Sequence, residues 1–119
     1  MREIKFRAWD KKENKMFNVA RLDISDGTCY SHLFASEPYD YWNDVELMQY
    51  TGFKDKNGTE IYEGDIVLEG CNGLIGKVVW DNILGTYKQE GFGEGYSIAD
   101  APIEWEVLGN VFENADLLK

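Results

Sequence analysis

The stretch from Leu47 to Leu68 constrains the fold of this chain most strongly, because it joins short apolar runs through two turns. Asp55–Gly58 supplies residues that tolerate a positive φ, so the chain can reverse there without strain. Glu63–Asp65 provides a second turn around a central glycine, and Ile66–Leu68 follows as a run of branched apolar residues. This stretch predicts short β-strands joined by tight turns.

Alternating segments near the start of the chain predict a β-hairpin. Arg2–Asp10 places apolar and polar side chains alternately, which is typical of a strand with one buried face. A polar turn follows, with Asn14 as the expected left-handed position. Met16–Ile24 then returns as the second strand.

The second half of the chain follows a pattern that is common in small SH3-like barrels. Gly64–Asp81 combines turn glycines with alternating residues, among which Val78 and Trp80 are expected to fill a narrow interior. Asn114 is a candidate N-cap for a short C-terminal helix, Ala115–Leu118, which would close one end of the barrel. The predicted fold class is therefore all-β, with an N-terminal hairpin, an SH3-like β-barrel and a short C-terminal helix.

The composition supports one folded domain. The chain has 119 residues, of which 44% are hydrophobic, and this is enough to bury a core. Residues 1–119 are predicted to form a single domain, which could be subdivided into a hairpin and loop (1–46) and a barrel (47–119). No apolar run is long enough to cross a bilayer and no signal-peptide core follows Met1, so no membrane association is expected.

Three segments, in the middle and at both ends of the chain, carry a recognisable pattern. They are Tyr50–Gly58 continued by Glu60–Val67, the opening Met1–Asp10 and the ending Glu106–Asn114. Together they resemble the YopX family of phage and prophage proteins, while Asp23–Asp44 and Gly85–Pro102 do not match. The resemblance implies a small, mostly β protein in the cytoplasm of a bacterial host cell, encoded by a bacterial virus or its integrated remnant. The resemblance assigns no functional residues in this chain.

The charge of −10 is distributed unevenly along the chain. Residues 1–21 hold seven Lys or Arg against three acidic residues, whereas the remainder is strongly acidic and repels nucleic-acid phosphates. Lys5, Arg7 and Trp9 are predicted to form an exposed stripe on the first strand. This stripe could be a solvated face or a basic and aromatic surface for nucleic acid, and the solvated face is favoured.

The strongest candidate for binding a partner is an aromatic cluster in the least patterned region. Tyr39, Tyr41 and Trp42 lie between or beside two aspartates, and such rings could either cap the core or recognise a host or phage protein. The opposed charges of the first hairpin and the remaining chain also suggest a homo-oligomer.

The residues offer little for catalysis or for holding a cofactor. His32 is the only histidine, and Cys29 and Cys71 have no metal-ligand spacing and should remain reduced in a cytosol. The glycine-rich run Glu90–Gly95 is followed by no helix pattern, so it does not predict a dinucleotide site. We therefore expect no enzyme activity, cofactor or metal. The favoured function is a protein-binding accessory role, and the alternative is a nucleic-acid-associated phage factor.

Overall fold

The computed structural model of this protein describes residues 3–31, 37–40, 42–70, 73–91 and 105–118. Close contacts group these residues into two compact units, an N-terminal unit (residues 3–49) and a C-terminal unit (residues 50–118). Throughout the described ranges the regular structure consists of β-strands and one 3₁₀ turn. The all-β prediction is confirmed.

The N-terminal unit is built from short antiparallel strands. Its strands are β1 (Phe6–Asp10), β2 (Lys15–Asn18), β3 (Arg21–Asp23), β4 (Thr28–Tyr30), β5 (Tyr39–Asp40) and the first half of β6 (Val45–Lys54). β1 pairs with β2 on one side and with β6 on the other, while β3, β4 and β5 form a separate sheet in that order. The β1–β2 hairpin is confirmed, and Asn14 in its turn has a φ of 55°. The predicted second strand, Met16–Ile24, is instead divided into β2 and β3, which belong to different sheets.

A small core fills the N-terminal unit. Ala8, Cys29 and Val45 are buried at its centre, on β1, β4 and β6. Partly buried side chains surround them: Phe17, Val19, Leu22, Tyr39 and Leu47. The hairpin and the small sheet therefore share one hydrophobic cluster, and burial of this kind is the main favourable term in folding.

The C-terminal unit contains the second half of β6 and the remaining strands. These are β7 (Glu60–Tyr62), β8 (Asp65–Glu69), β9 (Ile75–Asp81), β10 (Thr86–Gly91) and β11 (Trp105–Asn110). The last four form an antiparallel sheet in the order β10-β9-β8-β11, which curls into a half-barrel, and β7 pairs with β6. The core consists of Ile61, Val67, Val78, Tyr87 and Trp105.

The predicted turns have the expected backbone conformation. Gly58 and Gly64 have φ angles of 84° and 82°, a region that residues with a Cβ rarely occupy. The backbone of Gly64 is also hydrogen-bonded to two distant segments. Its amide donates to the Val78 carbonyl (2.9 Å), and its carbonyl accepts from the Val111 amide (2.8 Å). The turn that the sequence indicates is thereby held on both sides by distant parts of the chain.

The described C-terminal residues end in a 3₁₀ turn. Ala115–Leu118 forms this turn, and the Leu117 amide donates to the Asn114 carbonyl (3.0 Å). The Asn114 side chain accepts from the Asn110 amide (3.2 Å), so its carboxamide closes the preceding loop. The predicted short helix thus amounts to a single 3₁₀ turn. None of the helical segments that the structure describes has the length and hydropathy that spanning a bilayer requires.

Candidate functional site

The predicted aromatic cluster does not act as one group. Tyr39 packs into the core of the N-terminal unit, where its ring stacks on Phe17 with centroids 4.8 Å apart. Burial and a hydrogen bond with the Asp10 carboxylate raise the pKa of the Tyr39 hydroxyl. Trp42, by contrast, is 74% exposed. Tyr41 lies outside the described residues.

A dense set of hydrogen bonds fixes the backbone around Trp42. One oxygen of the Asp40 carboxylate accepts from the backbone amides of Trp42 (2.8 Å) and Asn43 (3.3 Å), and the other accepts from the Asn43 side chain (3.0 Å). The Asp40 amide donates to the Asp44 carboxylate (2.8 Å), and the Asp44 amide donates to the Asp40 carbonyl (2.8 Å). We call Asp40 with residues 42–44 the Trp42 turn.

The electrostatics of the Trp42 turn favour the ionised form of Asp40. The pKa of Asp40 is lowered, first by the hydrogen bond from the Trp42 amide and then by that from the Asn43 side chain. A carboxylate that accepts several donors is stabilised in its charged form. The turn therefore carries an exposed indole and an ionised carboxylate two residues apart in the sequence.

The basic and aromatic stripe on β1 has a different arrangement from the one predicted. Trp9 is only 9% exposed, so the prediction that it lies on an exposed face is wrong. The strand register places Met16 of β2 and Glu46 of β6 on either side of it, so neighbouring strands flank the ring. Lys5 forms an ion pair with Glu3 (3.0 Å), and Arg7 is half-buried. A nucleic-acid base could stack on the Trp9 ring only if the neighbouring strands β2 and β6 moved away from it.

The sequence interpretation missed a second exposed apolar group, at the turn between β9 and β10. Trp80 was expected to fill the interior, but this side chain is 47% exposed near the end of β9, and β10 begins only at Thr86. Ile83 and Leu84 occupy the turn itself, between Asp81 and Gly85. Two aliphatic residues between typical turn residues were the signal that could have identified this group.

The residues considered for metal or redox chemistry are only partly described. Cys29 is a fully buried free thiol, and its pKa is raised by burial and then by the charge of Asp44. His32, Cys71 and the glycine-rich run beyond Gly91 lie outside the described residues. Within the described part of the chain, no cluster of three or more His, Cys, Asp or Glu side chains is placed to hold a metal ion.

Comparison with known proteins gives a family and a structural relative. The sequence model of the YopX family, described as YopX protein, matches residues 5–119. The crystal structure of protein EF1440 from Enterococcus faecalis is similar over 100% of both chains, with 25% sequence identity and a TM-score of 0.71. A comparison with curated protein sequences found no match.

Proposed function

Since this chain belongs to the YopX family, we propose that it is a phage- or prophage-encoded accessory protein that binds another protein and catalyses no reaction. The partner is a host or phage protein. The observation that carries this proposal is the Trp42 turn, in which a tryptophan is held in solvent by the hydrogen bonds of Asp40 and Asp44.

The rigidity of the turn supports a role in binding. A tryptophan side chain offers a large contact area and is enriched among the residues that dominate binding energy at protein interfaces. Because the Asp40 carboxylate and the Asp44 carboxylate already order the backbone, little conformational entropy remains to be lost on association. A flexible loop with the same residues would bind more weakly.

The charge of the turn indicates the chemistry of the partner. Asp40 is ionised at neutral pH, as an aspartate ordinarily is, and hydrogen bonds lower its pKa further. A complementary surface would contain an apolar pocket for the Trp42 indole, with Lys or Arg side chains at its rim. Charges at such a rim mainly increase the association rate, and this increase diminishes as salt is added.

Affinity capture with matched variants tests this proposal. The immobilised full chain should retain a saturable protein from host lysate, and Trp42→Ala should lose it. Ile24→Ala is the control, because Ile24 is 76% exposed on another turn of the same unit. We expect this control to retain the partner. Retention by Trp42→Ala, or the same loss in both variants, would reject the Trp42 turn as the binding surface.

A binding titration separates this proposal from the nucleic-acid alternative. That alternative relies on Lys5, Arg7 and Trp9, of which Trp9 is buried. Under the proposal, the chain binds neither single-stranded nor double-stranded nucleic acid at low salt. Binding that is weakened by Lys5→Ala and by added salt would instead support the alternative, because phosphate contacts are salt-dependent.

A further inference from the structure

The turn between β9 and β10 exposes three large apolar side chains. Ile83 is 95% exposed, Leu84 is 62% exposed and Trp80, at the end of β9, is 47% exposed. Single exposed apolar residues are ordinary on protein surfaces, whereas grouped ones mark interaction sites. We call Trp80, Ile83 and Leu84 the hairpin tip.

The backbone of the hairpin tip is ordered by groups other than its apolar side chains. One oxygen of the Asp81 carboxylate accepts from the amides of Ile83 (2.8 Å) and Leu84 (3.0 Å), and the Gly85 amide donates to the Asp81 carbonyl (2.8 Å). Gly85 supplies the left-handed conformation, with a φ of 66°. Because these bonds define the turn, polar residues at positions 83 and 84 would serve folding equally well.

The charged side chains of the β9–β10 hairpin form ion pairs with one another. Lys88 pairs with Asp81 (2.8 Å), and Lys77 pairs with Glu90 (3.8 Å). The four charges therefore cancel locally, although the chain as a whole carries a charge of −10. The net charge makes two copies of this protein repel each other as whole molecules, and this hairpin is a place where that repulsion is small.

We propose that the hairpin tip is a self-association surface, and that its occupant is the hairpin tip of a second copy of this chain. A two-fold contact requires a patch that complements itself. The tip offers both parts of such a contact, since the Trp80 ring provides a flat face and Ile83 and Leu84 provide protruding side chains. Trp80 is steadied for this by an edge-on contact with Tyr87, with centroids 5.0 Å apart.

The size of the hairpin tip sets the strength of the contact. Its three side chains offer about 400 Å² of exposed surface per copy, given the size of aromatic and aliphatic side chains. A standard interface buries roughly 800 Å² per partner, and smaller ones belong to weak or transient complexes. The dimer is therefore weak and forms as the protein concentration rises.

Sedimentation velocity over a range from micromolar to millimolar protein tests this inference. The wild-type chain should shift from monomer to dimer, and the shift should persist at high salt because the contact is apolar. Ile83→Ser should weaken self-association by about tenfold or more. Since Ile83 is almost fully exposed, this variant should keep the thermal stability of the wild-type chain. Ile24→Ser, which changes an exposed isoleucine of the N-terminal unit, is the matched control and should associate as the wild type does.

Three results would overturn the inference. They are a monomer at millimolar concentration, an association that Ile83→Ser leaves unchanged, and an association that disappears at high salt. The last result would indicate that self-association depends on attraction between the basic first hairpin and the acidic remaining chain. The inference does not depend on the Trp42 turn, so Trp42→Ala should dimerise normally whatever the outcome of the capture experiment.

Discussion

The carboxylate of Asp55 accepts a hydrogen bond from the backbone amide of Val107 at 2.8 Å, although 52 residues separate them in the sequence. Its other oxygen accepts from the amides of Asn57 (2.8 Å) and Thr59 (2.9 Å). One buried side chain thus shapes the turn before β7 and ties it to β11, beside the bulge between Val107 and Gly109. The Asp55–Gly58 turn that the sequence indicates therefore contributes to the tertiary structure as well as to the local reversal of the chain.

Removing the Asp55 side chain should destabilise the C-terminal unit. Asp55→Ala leaves three amides without their acceptor, and the expected loss of unfolding free energy is about 2–4 kcal/mol. Chemical denaturation measures this loss. Asp23→Ala is the control, because the hydrogen bonds that the Asp23 carboxylate accepts from described residues come from its own turn, from Ser25 and Asp26. Equal losses in the two variants would mean that the long-range bond to Val107 contributes nothing.

The same carboxylate should make stability depend on pH in the acid range. Burial raises the pKa of Asp55, but the amides of Val107, Thr59 and Asn57 lower it by more, so it lies below the ordinary value of 3.8. The stabilisation is fully present above about pH 4 and is lost as the pH falls through the folded-state pKa.

Unfolding free energies measured from neutral to acid pH would show this dependence. Asp55→Asn should be less stable than the wild type at neutral pH, and its stability should fall less steeply below about pH 4. Part of the slope should remain, because the Lys88 ammonium lowers the pKa of Asp81 to about 2 and Asp81 titrates in the same direction. An unchanged slope in Asp55→Asn would contradict the assignment.

A side chain at Gly76 should disrupt the pairing of β9 with β10. A Cβ there would lie 2.7 Å from the Glu90 carbonyl oxygen and 2.8 Å from Cγ of Gln89. Gly76→Ala should therefore cost about 1–3 kcal/mol by overpacking. Gly85→Asn is the control, because Gly85 has open space and a φ that asparagine tolerates. If thermal denaturation shows Gly76→Ala to be as stable as the wild type, the strands must approach less closely.

Replacing Gln89 by glutamate should produce a pH-dependent defect. The buried Gln89 side-chain amide donates to the carbonyls of Val67 (3.0 Å) and Leu74 (2.8 Å). A carboxylate would face two acceptors in a buried site, which raises its pKa above the unfolded value of about 4.3. Gln89→Glu should therefore be strongly destabilised at neutral pH and should regain stability, relative to the wild type, as the pH falls through the raised pKa.

Gln89→Met isolates the effect of the introduced charge. It removes the same two hydrogen bonds without adding a titrating group, so its loss of about 2 kcal/mol should not vary with pH. Urea denaturation at two pH values, one neutral and one mildly acidic, compares the two variants. If Gln89→Glu and Gln89→Met responded to pH in the same way, the amide of Gln89 would not point at the two carbonyls.

The amino-acid sequence by itself determined the strand-and-turn pattern of this protein. Alternating residues predicted the β1–β2 hairpin, and the residue types at Asn14, Gly58 and Gly64 predicted left-handed positions that the structure contains. These features follow from local sterics, because side-chain size and the lack of a Cβ restrict φ and ψ at each residue separately.

Only the tertiary structure decided which aromatic rings face solvent. Sequence alternation assigned Trp9 to an exposed stripe and Trp80 to the interior, but Trp9 is buried and Trp80 is half-exposed. Tyr39 likewise joined the core, whereas Trp42 remained in solvent. Alternation shows that a strand has two faces, yet burial depends on what packs against each face. That packing is set by distant segments, such as β6, which pairs with β1 beside Trp9 and which no local pattern identifies as its neighbour.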